Sequence, residues 1–253
     1  MLKATLDDGL LFKNIISSFK DIVNEGCLEF DKDGMSMQSM DASHIVLCFF
    51  KIDKSNFSRY ECPKSFVIAC SFVQLLLILS CSEVDDSISF LYEDTADTLE
   101  ILLGSYEFNF KLMDINSDKL YVPETVPYCK IKMPSKTFKK IITNIDKFGN
   151  NVTISCTKNN ITFETDDSGT KTTLSINPSE EDDSGENPIS SYTFKKNVKH
   201  SYSIKRMVDF TKPCSFFDEV VICMIQDQPI LVEFNIEDSS VIRYYLAPKM
   251  PEE

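Results

Sequence analysis

The sequence predicts an α+β protein built from four strand-rich units, each of which carries one helix. Most of the 253 residues fall into short stretches rich in β-branched and aromatic residues, which are typical of strands. Four segments break this pattern because their apolar residues recur at helical spacing or form a longer apolar run. These segments begin at intervals of roughly 65 residues, as expected of a repeated supersecondary unit. Paired two by two, the four units predict two similar domains.

The predicted strands are short and alternate with polar turns such as residues 31–34 and 158–160. They comprise residues 27–30, 45–52, 65–70, 87–92, 98–103, 152–156, 161–165, 220–225, 230–236 and 241–246. Only 7 glycines are present in the chain, so strands rather than glycine-rich loops account for most of it.

Four segments are predicted as helices. The first covers residues 9–23, where apolar residues at helical spacing leave lysines on the opposite face. The third covers residues 135–148, with Ser135 as the predicted cap, and the fourth covers residues 202–211. Residues 72–81 are almost wholly apolar, so periodicity alone is ambiguous there. The regular spacing of the other three favours a helix at this position.

The midpoint of the chain predicts a domain boundary. Residues 112–128 contain prolines and acidic residues without any periodic pattern, which is typical of a connector. We therefore predict an N-terminal domain at residues 1–112, a connecting loop at 113–128 and a C-terminal domain at 129–253.

Charge is distributed unevenly between the predicted helices and the remainder of the chain. The net charge is −13, which would repel nucleic acid at long range. Residues 9–23, 135–148 and 202–212 nevertheless carry +1, +3 and +2, so the remainder carries −19. Helices gathered on one face would attract phosphates without reading bases. Lysines that merely solvate exposed helix faces would give the same pattern, so charge alone leaves both interpretations open.

The sequence gives little support for catalysis, a cofactor or a metal. Nine scattered cysteines include no CxxC pair, and only two histidines are present, so we expect no metal site. Asp41, Ser43 and His44 lie within four residues, whereas a catalytic triad usually draws on separate elements. Apolar stretches such as residues 75–79 are too short to span a bilayer, so no membrane partner is expected.

Several strings, in order along nearly the whole chain, resemble the proliferating cell nuclear antigen family. They are MQSMDASHI at 37–45, DTADTL at 94–99, LMD at 112–114, LYVP at 120–123, KMPS at 132–135 and YYLAPK at 244–249. The resemblance implies a DNA-clamp fold, in which two similar domains each pack two helices on antiparallel sheets and three chains form a ring. It also implies a nuclear, non-enzymatic role in DNA replication and DNA repair, without a cofactor.

The resemblance implies that the helices line a hole around double-stranded DNA, with sequence-independent contacts that keep a DNA polymerase processive. The implied DNA-facing residues are Lys13, Lys20, Lys139, Lys140, Lys147, Lys205, Arg206 and Lys212. The second helix departs from the family pattern, because it has no charge and carries Leu77 and Ser80 where relatives commonly place lysines.

Two further surfaces are implied by the resemblance. A pocket beneath the connecting loop would accept a short peptide, with a glutamine, an aliphatic residue and two aromatic residues, from a DNA polymerase, a clamp loader and other proteins. The implied pocket residues are Met40, His44, Ile45, Leu47, Leu120, Val122, Pro123, Pro229, Tyr245, Ala247 and Pro248. Subunits of the homotrimer would join through edge strands at 105–111 and 171–177, with Cys81, Phe108, Ile145 and Leu174 at the junction. Lys158 matches a position that in relatives accepts ubiquitin or its small homologue.

Three alternatives to the homotrimeric clamp remain open. The chain could be a subunit of a heterotrimeric checkpoint clamp or a divergent second clamp copy. It could be a cysteine or serine hydrolase that uses His44, or a monomeric β-rich adaptor that does not bind DNA.

Overall fold

Two halves of the chain repeat the same order of helices and strands. The structure is a computed structural model that describes residues 1–115, 126–167, 169–179, 188–236 and 239–250. Contacts between Cα atoms divide the chain into two units. The first consists of Met1–Tyr121 and Ile236–Ile242, and the second consists of Val122–Asn235 and Arg243–Glu253.

The first half contains two helices and nine strands within its described residues. They are β1 (Leu2–Leu6), α1 (Gly9–Ser17), β2 (Glu25–Asp31), β3 (Gly34–Met40), β4 (Val46–Asp53), β5 (Phe57–Glu61), β6 (Phe66–Ser71), α2 (Phe72–Leu79), β7 (Ile88–Tyr92), β8 (Thr98–Leu103) and β9 (Tyr106–Lys111). One antiparallel sheet has the strand order β5-β1-β7-β8-β9, and a second series of antiparallel strands runs β4-β3-β2-β6. Strand β9 therefore lies at an edge of its sheet.

Aromatic residues of α1 and both strand series form the core of the first unit. Phe12 of α1 packs edge-on against Phe90 of β7, with 5.2 Å between ring centroids, and lies 6.4 Å from Phe50 of β4. Phe30 of β2 lies 5.8 Å from the same Phe90 ring. All four side chains are completely buried. The helix is thus fixed over the sheets by rings from both of them.

The second half repeats this element order. Its described elements are β10 (Cys129–Pro134), α3 (Ser135–Ile145), β11 (Asn151–Cys156), β12 (Ile161–Asp167), β13 (Thr170–Ile176), β14 (Ser191–Phe194), β15 (Val198–Ser203), α4 (Ile204–Asp209), β16 (Glu219–Met224), β17 (Ile230–Asn235) and β18 (Val241–Leu246). A four-stranded antiparallel sheet has the order β13-β12-β11-β15, so β13 is an edge strand. Strands β14, β10, β16 and β17 pair in that order.

Burial in the second unit follows the same plan as in the first. Helix α3 buries Phe138, Ile141, Ile142 and Ile145, whose spacing places them on one face. Its partner α4 packs alongside it within this unit. The predicted α+β class is therefore confirmed, with four helices and antiparallel sheets in the described part of the chain.

All four helices differ from the sequence prediction at one end or both. The second, third and fourth end at Leu79, Ile145 and Asp209 instead of residues 81, 148 and 211. The first helix ends at Ser17 instead of residue 23, and the chain continues in tighter turns, in which the Phe19 amide donates to the Ile16 carbonyl at 3.1 Å. Tyr202, predicted to begin the fourth helix, lies in β15 opposite Val152 and is fully buried there. Ser135 is the first residue of α3 rather than its cap, and its hydroxyl makes no capping hydrogen bond.

The ambiguous apolar segment is a helix, as its spacing predicted. The Ser71 hydroxyl accepts a hydrogen bond from the Gln74 amide and caps α2 at its N-terminus. Phe72, Leu75 and Leu79 are buried, whereas Val73 and Leu77 are 52% and 66% exposed. Helix α2 therefore presents an uncharged, partly apolar face to its surroundings.

Replacing Phe90 by Ala should destabilise the protein strongly, because it removes a buried ring that contacts both Phe12 and Phe30. We expect the free energy of unfolding to fall by about 3–5 kcal/mol. Urea denaturation followed by circular dichroism measures this change. Val67→Ala, at a position that is 58% exposed, is the matched control and should shift stability by less than about 0.5 kcal/mol. Equal effects of the two substitutions would contradict the described core.

Candidate functional site

Helices α3 and α4 carry most of the cations predicted to face DNA. The four buried apolar residues of α3 leave Lys136, Lys139 and Lys140 exposed on its solvent side. Lys147 lies two residues beyond the end of the helix, and its Nζ is 3.0 Å from the Asn144 Oδ1. The Lys139 Nζ lies 3.3 Å from the Ser215 Oγ, in the turn that follows α4. These ammonium groups share one helix pair and can reach solvent.

The cations of α4 and its following turn are partly offset by one carboxylate. The Arg206 Nη1 lies 3.5 Å from the Asp209 Oδ2, and the Lys212 Nζ lies 3.5 Å from the Asp209 Oδ1. The Asp209 side chain is only 14% exposed. Lys205, by contrast, is exposed and makes no ion pair with any described residue. The second unit thus combines several solvent-facing lysines with two cations that are already engaged. We define the α3–α4 face as Lys136, Lys139, Lys140, Lys147, Lys205, Arg206 and Lys212.

The first unit contributes only two of the predicted DNA-facing residues. Lys13 of α1 is half-buried, and its Nζ lies 3.5 Å from the Ser82 Oγ, in the loop beyond α2. Lys20 is exposed in the turn after α1. The neighbouring helix α2 has no charged residue and packs directly against α1. We define the α1–α2 face as the solvent side of these two helices.

Strand β9 presents an aromatic ridge at an open sheet edge. Tyr106 and Phe108 stack with 5.9 Å between ring centroids, and Tyr106 is 58% exposed. Phe108 lies opposite Ile101, which lies opposite Phe90 in the next strand. Side chains opposite each other share a face, so the ridge lies on the same side of the sheet as helix α1. The predicted junction residue Cys81 is exposed just beyond α2 in the same unit.

A groove lies beside the other open edge, strand β13. It has a volume of about 600 Å³, in the range of cavities that hold organic ligands. Its lining combines apolar residues with polar ones, among them Lys140 of α3. Its apolar walls are Ile141, Ile145, Phe148, Leu174, Ile176 and Pro188. Two predicted junction residues are thus brought together, because Ile145 forms the buried floor and Leu174 is 37% exposed at the rim.

Two residues of these edges were not identified from the sequence. Tyr106 precedes Phe108 by two positions and therefore shares its face in a strand. Phe148, three residues past Ile145, lines the groove and is 43% exposed. Alternation around a known edge residue could have identified Tyr106, whereas the role of Phe148 depends on how the chain turns after α3.

In the first unit, the predicted docking residues surround a tight turn between β3 and β4. Asp41, which is 2% exposed, holds this turn. Its Oδ1 accepts hydrogen bonds from the amides of Ile45 at 2.9 Å and Val46 at 2.8 Å, and its other oxygen accepts one from Ser43. His44 adopts a left-handed backbone conformation with φ of 57°. His44 and Ile45 consequently project as exposed side chains, while Met40 is half-buried and Leu47 is buried.

In the second unit, the predicted docking residues lie near β17 and the end of β18. Pro229 is exposed immediately before β17, and Tyr245, Ala247 and Pro248 are half-buried. Burial raises the pKa of Tyr245 above its usual value, although Arg243 nearby acts in the opposite direction. Its hydroxyl therefore stays protonated at neutral pH and can donate a hydrogen bond. Leu120, Val122 and Pro123, also predicted for this site, lie outside the described residues.

Lys158 lies exposed in the turn between β11 and β12. The neighbouring Thr157 and Asn160 close this turn, since the Thr157 amide donates to the Asn160 carbonyl at 2.9 Å. A rigid turn thus presents the lysine to solvent.

The described residues offer no support for the hydrolase alternative. They contain no group of three or more metal-ligating side chains. Burial raises the pKa of Cys70 and Cys214 to about 12 and that of Cys223 to about 11, so these thiols stay protonated and are poor nucleophiles. The Ser43 hydroxyl is bonded to Asp41 and not to His44. Among the described helices, none is both long and apolar enough to cross a bilayer.

Replacing Asp41 by Ala should loosen the turn that presents His44 and Ile45. The substitution removes the acceptor of both the Ile45 and Val46 amides, and hydrogen bonds to a charged acceptor contribute about 1.5–3 kcal/mol each. We expect hydrogen exchange at these two amides to accelerate by about 10-fold or more. Ser43→Ala, which leaves both amide bonds in place, is the control and should change their exchange far less. Unchanged exchange in the Asp41 variant would show that the carboxylate does not hold the turn.

Two protein-family models match the chain end to end. The N-terminal domain of proliferating cell nuclear antigen matches residues 1–120, and the C-terminal domain of proliferating cell nuclear antigen matches residues 121–249. Together they cover both repeats of the strand and helix order described above. The chain therefore belongs to the proliferating cell nuclear antigen family of DNA sliding clamps.

Proposed function

We propose that the protein is a homotrimeric clamp that encircles duplex DNA, keeps DNA polymerase processive and docks replication and repair proteins. Family membership supports the clamp as a class. One observation supports the ring: two of the sheet edges in a single chain expose apolar side chains, the aromatic ridge on β9 and the groove beside β13. A chain with two different complementary edges can join head to tail with copies of itself.

Strand addition describes how these edges would meet. The β9 strand of one copy would pair with β13 of the next, so that a sheet continues across the junction. Leu174 lies opposite Phe163, which lies opposite Ile154 in the buried core, so Leu174 shares the core face of its sheet. Tyr106 and Phe108 occupy the core face of theirs. In a continuous sheet the ridge would therefore enter the groove, and closure would cover two edges that otherwise invite aggregation.

Three copies would bring twelve helices around the central hole. The proposed phosphate-facing residues are Lys13, Lys20, Lys139, Lys140, Lys147, Lys205, Arg206 and Lys212. Lysines on long stems deliver charge without directional contacts to base edges, so binding would be independent of sequence. Enclosure by the ring, rather than affinity, would retain the DNA during sliding.

Partner proteins would dock through a short peptide at the residues predicted beneath the connecting loop. The exposed Ile45 beside the ordered Asp41 turn, and Tyr245 with Pro248, offer apolar walls and one hydrogen-bond donor. Such surfaces suit aromatic anchors. We also propose that the protein acts in the nucleus without catalytic activity, and that exposed Lys158 is a site of modification by ubiquitin or its small homologue.

A subunit of a heterotrimeric checkpoint clamp, or a divergent second copy, would share this fold. It would lack one of the two matching edges or bind a different chain there. The presence of both the ridge and the groove on one chain favours self-association.

Replacing Leu174 by Asp should convert the trimer to a monomer. The substitution places a carboxylate at the rim of the apolar groove, where a docked partner would desolvate it. Light scattering across a dilution series should give about three times 28.9 kDa for the unmodified protein and 28.9 kDa for the variant. Phe108→Asp, on the opposite edge, should have the same effect.

The matched control for this experiment is Val67→Asp, a substitution of another exposed apolar strand residue. Its mass should remain that of the unmodified protein. A stable monomer before any substitution would refute the homotrimer and favour the heterotrimeric or adaptor alternatives.

Replacing Ile45 by Arg should weaken binding of the partner peptide. Ile45 is 39% exposed beside the Asp41 turn, so the change alters the surface with little loss of core packing. Calorimetry with a synthetic peptide that carries glutamine, an aliphatic residue and two aromatic residues should show a loss of affinity of about 30-fold, as for a central anchor contact. Val67→Arg should bind as the unmodified protein does. Equal affinity of the Ile45 variant would remove this turn from the docking site.

A further inference from the structure

We infer that the α3–α4 face supplies most of the phosphate contact in this clamp and that the α1–α2 face supplies little of it. The inference rests on the proposed function, which places both helix pairs against DNA. It ranks the eight proposed cations by their share of phosphate binding, with Lys13 and Lys20 contributing least.

Equivalent segments of the two units carry opposite charge. In the second unit, the helices with their following loops, residues 135–150 and 204–218, hold seven cations and three acidic residues, a net charge of +4. In the first unit, residues 9–24 and 72–87 hold two cations and four acidic residues, a net charge of −2. Because these segments occupy the same places in the repeated element order, the comparison covers matching surfaces.

The acidic loop after α2 lies directly against α1. The Gly9 amide at the start of α1 donates to the Asp86 carbonyl at 2.8 Å. The same loop holds the Lys13 Nζ beside Ser82 and exposes Glu83 and Asp85. A phosphate that approached Lys13 would therefore meet two exposed carboxylates, whose repulsion offsets the attraction of the ammonium group.

The remaining surface of α2 cannot replace the missing charge. Val73 and Leu77 are 52% and 66% exposed and stand one helical turn apart. Apolar side chains neither attract phosphate nor release the counterions that drive DNA binding. Lys20 is then the one exposed cation among the described residues of the α1–α2 face and its adjoining turn.

On the α3–α4 face, cations outnumber acidic residues by seven to three, although Asp146 and Asp218 are also exposed. Lys139 is exposed on α3 and touches only a serine hydroxyl among its described polar contacts. Lys205 is exposed on α4 and makes no described ion pair. Arg206 and Lys212 share Asp209, so their charge is partly offset before DNA arrives. Lys139 and Lys205, one on each helix, therefore represent the unpaired cations of this face in the test below.

Two double variants of the full chain test this division, because each removes two cations per subunit. One is Lys139→Ala with Lys205→Ala, and the other is Lys13→Ala with Lys20→Ala. Binding of a fluorescein-labelled 30-base-pair duplex is measured by anisotropy between about 50 and 200 mM salt. Light scattering confirms that each variant keeps the mass of the unmodified protein, which excludes an effect through assembly.

The expected result is unequal. The Lys139 and Lys205 variant should lose about 10-fold or more of its affinity at 50 mM salt and show a shallower dependence on salt, by about 0.9 in the logarithmic slope for each phosphate that is no longer neutralised. The Lys13 and Lys20 variant should lose less than about threefold of its affinity and show a smaller change in slope. Equal losses, or no loss in the first variant, would overturn the division while leaving the clamp intact. Absence of salt-dependent duplex binding by the unmodified protein would instead refute the proposed DNA contact itself.

Discussion

Unpaired backbone groups at a sheet edge are the constraint on which this structure depends. Strand β9 ends one sheet and β13 ends another, and each leaves a row of amide and carbonyl groups without a described strand partner. Both edges also expose apolar side chains from the core face, Tyr106 and Phe108 on one and Leu174 on the other. A strand from another chain could pair with these amide and carbonyl groups and bury the apolar side chains beside them. Both edges therefore have the features of a surface that pairs with another chain.

The charged residues are distributed unevenly over the four helices. A chain with net charge −13 can meet DNA only where its cations are separated from its carboxylates. Helix α3 achieves this separation because its apolar residues occupy one face completely and its lysines occupy the other. Helix α2 instead has valine and leucine at exposed positions. Two units with the same element order therefore differ in what they can offer to a phosphate backbone.

Local patterns in the sequence predicted most elements but not the surfaces that they form. Strands β8 and β18 lie where their residue types indicated, because burial and spacing agree there. The fourth helix begins later than predicted because cross-strand pairing of Tyr202 with Val152 overrides its helical spacing. The first helix gives way to tighter turns after Ser17, although its apolar spacing continues to residue 23. The groove joins Ile145 to Leu174, and only the folded chain shows that residues so far apart share one surface.

The turn at residues 41–46 limits which sequences this family member can adopt. His44 has a φ of 57°, a conformation that Asn, Asp, His and Gly accept more readily than other residues do. A β-branched side chain there would cost about 1–2 kcal/mol in backbone strain, whatever its chemistry could add to binding. Backbone geometry therefore limits the residue types that position 44 accepts, independently of any contact with partners. A library randomised at this position and selected for folding alone should already be depleted of Val and Ile.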